Sequence, residues 1–140
     1  MVNVLDKVRP KNKEQLKQLI NYAFKHNIYD LNFIDTSKIT DMSNLFINCE
    51  YDIDVSNWDV SNVKDMSDMF YYCKKFDCDL SCWNVSNVTC MEYMFTGCEK
   101  FNCDLSDWDI SNITRWKNMF SRCDKMTIPN WYKKLYIVKK

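Results

Sequence analysis

The sequence has very few of the residues that usually shape turns or carry acid–base chemistry. One glycine and two prolines occur in 140 residues, so Asn, Asp and Ser must form the turns by bonding nearby backbone. The single histidine, His26, leaves the many aspartates without a partner for general acid–base catalysis. We therefore expect no catalytic residues and no enzyme activity.

Long apolar runs are also missing from the sequence. No run approaches the ~20 residues that span a bilayer, and residues 1–10 lack the apolar core of a signal peptide. We expect no membrane insertion and a cytoplasmic location for the chain as written. A cell-surface location is the alternative if a leader has been removed.

Hydrophobic residues make up 46% of the chain and aromatic residues 15%, which indicates a globular protein. The net charge is zero but unevenly distributed. Residues 51–112 carry 4 basic and 12 acidic side chains (net −8), whereas residues 113–140 carry 8 and 1 (net +7). An acidic body argues against nucleic acid as the main ligand.

A 25-residue period dominates the sequence. Trp58, Trp83 and Trp108 are spaced 25 residues apart, and nearly everything around them repeats with them. A fixed period of this length is typical of stacked repeats. The predicted repeats are 31–50, 51–75, 76–100 and 101–126, of which the first is degenerate and one residue short.

The apolar pattern within a repeat predicts a short strand and a short helical piece. In the third repeat, we predict the strand over Leu80–Val88 and one or two helical turns over Met91–Phe95. Stacked coils would then align their strands into a parallel sheet. The predicted fold is a leucine-rich-repeat-like solenoid with identical side chains in columns.

The two ends of the array are predicted to be caps. Residues 1–11 are expected to be a flexible lead, and apolar residues at helical spacing predict a helix over 13–26. Asn12 and Gln15 resemble a capping box at its start. Residues 1–30 thus form the lead and capping helix, and residues 127–140 the C-terminal cap and basic tail.

The repeats resemble those of BspA-type leucine-rich-repeat-like proteins. The shared pattern is Trp-Asp-Val-Ser-Asn-Val-Thr-x-Met-x-x-Met-Phe-x-x-Cys, and the resemblance covers residues 31–126. It implies a solenoid with a binding role, often in adhesion or host contact, in a subclass common in bacterial surface proteins and long of unknown function. It does not imply an enzyme.

The cysteines have three interpretations. Cys49, Cys73, Cys98 and Cys123 share one repeat position; Cys78 and Cys103 share another, occupied by Ile53 in the preceding repeat. A reduced, buried column is favoured, because free cysteine behaves as a small apolar residue. Disulfides or a zinc site are the alternatives. Outside these columns, we expect more exposure for Cys82 and Cys90.

Other recurring polar residues are interpreted as structural. The repeated aspartates should accept backbone N–H bonds in turns rather than bind calcium. The repeated asparagines should form a buried polar column that bonds adjacent coils. We expect no cofactor and no metal. The columns are Asp54, Asp79 and Asp104 for the aspartates and Asn62, Asn87 and Asn112 for the asparagines.

Positions that vary between repeats are the predicted outer face. Three tyrosines are the best anchors, because Tyr, Trp and Arg dominate protein-binding hot spots. The predicted function is a non-enzymatic module that binds a protein partner and is itself a monomer or weak homo-oligomer. The alternative is a self-associating structural or adhesin-type unit. The candidate face comprises Tyr71, Tyr72, Tyr93, Lys64, Glu92, Arg115, Lys117 and Arg122.

Overall fold

A computed structural model of the chain describes residues 7–138, with side chains through Ile137. Over these residues the chain is mostly irregular, with two helices and a continuous column of buried aromatic rings. This arrangement is consistent with a repeat fold, in which every coil adds the same side chains to one interior.

Helix α1 spans Lys13–Lys25, which confirms a helix at the predicted place. The side chain of Asn12 accepts a hydrogen bond from the backbone N–H of Gln15 at 2.9 Å. The Gln15 side chain accepts from the N–H of Lys11 instead of Asn12, so the predicted capping box is only half formed. The buried residues of the helix are Leu16, Ile20 and Ala23.

The coils are built from consecutive turns, and the predicted strand over Leu80–Val88 is wrong. In the part of the chain that the structure describes, coils are joined by isolated parallel backbone pairings, not by strands. Met91–Phe95 likewise forms turns and not a helix. One series of pairings runs through Asp41, Asp65, Cys90 and Arg115.

Hydrogen bonds between coils come from alternate N–H groups along the turn-rich segment. In the third coil, the donors are Met91, Tyr93, Phe95 and Gly97, and the acceptors lie 24 residues later, at 2.8–3.0 Å. The intervening N–H groups close turns within the coil. Two residues per coil have positive φ, for example Tyr93 (58°) and Gly97 (77°). These left-handed residues interrupt an extended backbone in this segment. In Leu80–Val88, the N–H groups of Trp83 and Val88 instead close turns on the carbonyls of Leu80 and Val85, so no strand forms there.

Columns of identical side chains fill the interior. Consecutive phenylalanine rings have centroids 5.6–5.7 Å apart and planes within 6° of parallel. Phe76 and Phe101 form a second column beside the first. The ring centroid of Phe76 lies 4.1 Å from that of Phe70, and the ring centroid of Phe101 lies 4.4 Å from that of Phe95. The prediction that equal repeat positions stack is confirmed. The first column contains Phe46, Phe70, Phe95 and Phe120.

The tryptophans also form a column, and each indole N–H donates to a carbonyl of the preceding coil. Trp58, Trp83 and Trp108 are only 4–5% exposed. Trp131 continues the series by donating to Leu105 at 2.8 Å. Trp131 therefore occupies the next position of the tryptophan column.

Helix α2, Asn130–Val138, packs against the last coil. Leu135 is 5% exposed, and the ring of Tyr132 meets the edge of Phe120 at a centroid distance of 5.0 Å. The basic tail, Lys139 and Lys140, and residues 1–6 lie outside the described residues.

Two further expectations need correction. The described part of the lead, residues 7–11, is bonded to the first coil. The N–H of Val8 donates to the Phe33 carbonyl at 3.0 Å, and the Val8 carbonyl accepts from the N–H of Asp35 at 2.7 Å. The asparagine column does bond adjacent coils, but it is exposed and not buried. Asn87 donates to the Ser61 carbonyl at 2.7 Å from an exposed position at the rim of the coil.

Candidate functional site

The cysteine column is bonded to the backbone of neighbouring coils. The thiols of Cys73, Cys98 and Cys123 each donate to a phenylalanine carbonyl of the preceding coil at 2.8–2.9 Å. Burial raises the pKa of Cys123 to about 11. All eight cysteines are free, which agrees with the reduced interpretation. Cys82 is exposed and Cys90 is half-buried, as expected.

The second thiol position lies beside the aspartate turns. Cys78 and Cys103 have their sulfur atoms 3.6 and 3.5 Å from carboxylate oxygens of the preceding coil. Desolvation raises the pKa of Cys78 to about 12, so this thiol stays protonated at neutral pH. Within residues 7–138, no group of three or more His, Cys, Asp or Glu is placed to hold a metal ion.

The aspartates accept hydrogen bonds inside turns, as predicted. Asp79 accepts from the hydroxyl of Ser81 at 2.7 Å and from its N–H at 2.9 Å. These bonds hold the pKa of the Asp79 carboxyl below its usual value. The same Asp-x-Ser arrangement recurs through the coils. The Oδ1 atoms of these carboxylates therefore hold the local turns together.

Three candidate residues come together in a shallow cleft at the last two coils. Glu92 and Arg115 form an ion pair between adjacent coils at 2.9 Å. The Glu92 carboxylate raises the pKa of the Arg115 guanidinium. We call this cleft, of about 230 Å³, the Arg115 cleft; it is lined by Glu92, Thr114, Arg115, Trp116, Lys117 and Tyr136.

A second group of candidates forms around Tyr72. Its phenol oxygen accepts a hydrogen bond from Arg122 at 3.2 Å, across the intervening coil. The ring of Tyr71 meets that of Tyr72 edge-on at 4.7 Å. Gly97 leaves space for the Tyr72 ring, since a Cβ there would lie 2.7 Å from ring carbons. Tyr72 therefore has a structural role as well as an accessible edge.

The remaining two candidates belong to neither group by side-chain contact. Lys64 is exposed, and its backbone links Thr40 to Thr89. Tyr93 is half-buried, and its N–H donates to the carbonyl of Lys117. The predicted face therefore separates into two groups joined through the coil backbone.

Sequence reasoning missed two aromatic residues of the Arg115 cleft. Trp116 occupies a position where the earlier coils have fully buried Met66 and Met91, yet it is only half-buried. Tyr136 of α2 is 42% exposed, and its ring meets that of Trp116 at 6.3 Å. The break in the methionine column was the available signal; the contribution of α2 depends on tertiary packing.

The chain belongs to the family described as "Mycoplasma protein of unknown function, DUF285", whose sequence model matches residues 14–131. Neither the curated proteins nor the solved structures include a match to this chain. Neither helix within residues 7–138 has the length and apolar character needed to cross a membrane.

Proposed function

We propose that the chain is a non-enzymatic protein-interaction module with a BspA-type, leucine-rich-repeat-like architecture. It binds a protein partner through the Arg115 cleft. The observation that carries this proposal is that Trp116, Tyr136 and Arg115 line the same cleft. These residue types are the ones that dominate protein-binding hot spots.

The charge of the cleft suggests the chemistry of the partner. The Glu92 carboxylate is already paired with Arg115, so Lys117 supplies a net positive charge beside the two aromatic rings. An acidic segment carrying an apolar or aromatic side chain would complement both features. Binding in place of catalysis is further supported by the repeated aspartates, whose Oδ1 atoms accept hydrogen bonds from their own turns.

Affinity capture from native lysate tests the proposal. The site variant is Lys117→Glu/Tyr136→Ala, and the matched control is Asp107→Lys/Tyr22→Ala. The control changes one charge and one tyrosine, both exposed and both outside the cleft. Equal melting temperatures would establish that all three proteins are comparably folded.

We expect the site variant to capture at least tenfold less partner than wild type, while the control captures as much as wild type. Each hot-spot side chain contributes 1 kcal/mol or more in typical interfaces, which corresponds to about fivefold in affinity. Equal capture by wild type, the site variant and the control would rule out the Arg115 cleft as the binding site. Loss confined to Tyr71→Ala/Tyr72→Ala would instead place binding at the Tyr72 group.

Self-association is the second candidate function. Exposed apolar side chains at the amino-terminal end favour it, notably Tyr22 (56%), Ile47 (45%) and Tyr51 (39%). Helices α1 and α2 cover the two ends of the array and oppose end-to-end stacking. A sedimentation coefficient independent of concentration up to millimolar protein would remove this alternative.

A further inference from the structure

Cys49 is the first member of the thiol column and differs from the other three. The thiols of Cys73, Cys98 and Cys123 each donate to a carbonyl of the preceding coil. Cys49 belongs to the first coil, and its sulfur instead lies 3.8 Å from the carbonyl of Tyr51. It is also only half-buried, so reagents in solution can reach it.

A second thiol lies beside Cys49. The N–H of Cys49 and the thiol of Cys73 both donate to the carbonyl oxygen of Phe46, each at 2.9 Å. The adjacent Cys73 side chain lowers the pKa of Cys49 to about 7, against the opposing effects of burial and Glu50. The pKa of Cys73 is strongly raised. Cys49 is also the more exposed sulfur of the pair, so water can solvate a thiolate there and not at Cys73.

Cys49 opens into a cleft of about 540 Å³ that also contains two cations. Lys74 and Lys75 line it, with Glu50 as the one acidic side chain. The ammonium groups of these two lysines are the groups of the cleft that can pair with an anionic reagent. The cleft walls are Asn48, Cys49, Glu50, Tyr72, Lys74 and Lys75.

We propose that Cys49 is a thiol-modification site that exchanges with low-molecular-weight disulfides bearing carboxylates. The Cys49 thiolate attacks one sulfur of the disulfide, a new S–S bond forms to Cys49, and the second sulfur leaves as a thiolate that takes a proton from water. The Cys49 sulfur is oxidised, and the departing half is reduced. Lys74 and Lys75 pair with the carboxylates.

Cys73 does not complete a second exchange. Its thiol is 1% exposed, donates to the Phe46 carbonyl and stays protonated. A protonated thiol is a poor nucleophile, so the mixed disulfide on Cys49 persists. This proposal is independent of the proposed binding face at the Arg115 cleft.

Oxidised glutathione is a suitable anionic probe for the folded, full-length chain. The reaction is stopped with acid at intervals, and modified peptides are quantified by mass spectrometry. Exposed Cys82 serves as the internal reference thiol. At pH 7, we expect Cys49 to react roughly three- to fivefold faster than an ordinary thiol, because its larger thiolate fraction outweighs its lower nucleophilicity.

The lysines are tested by changing the charge of both the protein and the probe. Lys74→Gln/Lys75→Gln should slow modification of Cys49 by oxidised glutathione several-fold at low salt, and should not slow modification by cationic cystamine. Lys133→Gln/Lys134→Gln, in α2, is the matched control. Faster modification of Cys82, equal lysine effects on both probes, or a Cys49–Cys73 disulfide as the main product would overturn the proposal.

Discussion

The ring of Tyr72 lies directly over Gly97 of the next coil. A Cβ atom at residue 97 would come 2.7 Å from Cδ1 and Cγ of that ring. The backbone of Gly97 also has φ of +77°, a conformation that side-chain-bearing residues seldom adopt. Two independent requirements therefore place the only glycine of the sequence at this position.

Gly97→Ala is expected to destabilise the fold by about 3 kcal/mol. Left-handed backbone costs an alanine roughly 1–2 kcal/mol, and displacing the base of the Tyr72 ring adds a comparable amount. Urea unfolding of wild type and variant measures the change. In the double variant Tyr72→Ala/Gly97→Ala, the steric part should disappear, giving a favourable coupling energy of about 1 kcal/mol or more. Additive effects would contradict the contact.

Phe95→Ala should be among the most damaging core substitutions. The ring is fully buried between Phe70 and Phe120, with Phe101 stacked at 4.4 Å. Truncating such a ring typically costs 3–5 kcal/mol because a cavity remains. Phe120→Ala is the matched control at the end of the column, where the ring is 6% exposed.

Chemical denaturation should rank Phe95→Ala as more costly than Phe120→Ala by at least about 1 kcal/mol, since the end of the array can relax around a missing ring. The reverse order would mean that the interior of the column is not its best-packed part.

The sequence was sufficient to predict which residues share a column but not the conformation of the backbone. The 25-residue spacing of Trp58, Trp83 and Trp108 predicts their stacking directly. The strand over Leu80–Val88 was inferred from mixed spacings of apolar residues, which several backbone shapes can produce. The residue type of Tyr93 does not predict its φ of 58°. That conformation follows from hydrogen bonds to the next coil.

The candidate face was partly predictable for a similar reason. Variation between repeats correctly selected accessible positions such as Arg115 and Lys117. It missed Tyr136, because this residue lies outside the repeats and reaches the cleft only through the packing of α2. The same criterion did not indicate that Tyr72 has a structural role, although its ring lies over Gly97 and its hydroxyl contacts Arg122.

Leu135→Asp is expected to release α2 and promote self-association. Leu135 is 5% exposed against the last coil, and a carboxylate there would lose its hydration without gaining a partner. The freed end would expose Phe120 and the end of the core. Ile137→Asp, at a position 78% exposed in the same helix, is the matched control.

Sedimentation velocity should detect concentration-dependent oligomers of Leu135→Asp and a monomer for Ile137→Asp. Identical behaviour of the two variants would show that α2 is not what keeps the last coil from association.

Asp35 should make stability depend on pH in the acidic range. The hydroxyl and N–H of Ser37, and then the guanidinium of Arg9 at 2.6 Å, lower the pKa of the Asp35 carboxyl to about 2. The usual value in an unfolded chain is about 3.9. Because the folded-state pKa is the lower one, the stabilisation is fully present above about pH 4 and is lost as the pH falls through 2. Linkage gives about 2 kcal/mol for this difference.

The free energy of unfolding of wild type should therefore exceed that of Asp35→Asn by up to about that amount at pH 6, and the two values should converge near pH 2. Urea unfolding at several pH values measures the gap, with the exposed carboxylate variant Asp107→Asn as control. A gap that stays constant between pH 6 and pH 2 would mean that the charge of Asp35 does not hold the lead residue Arg9 against the first coil.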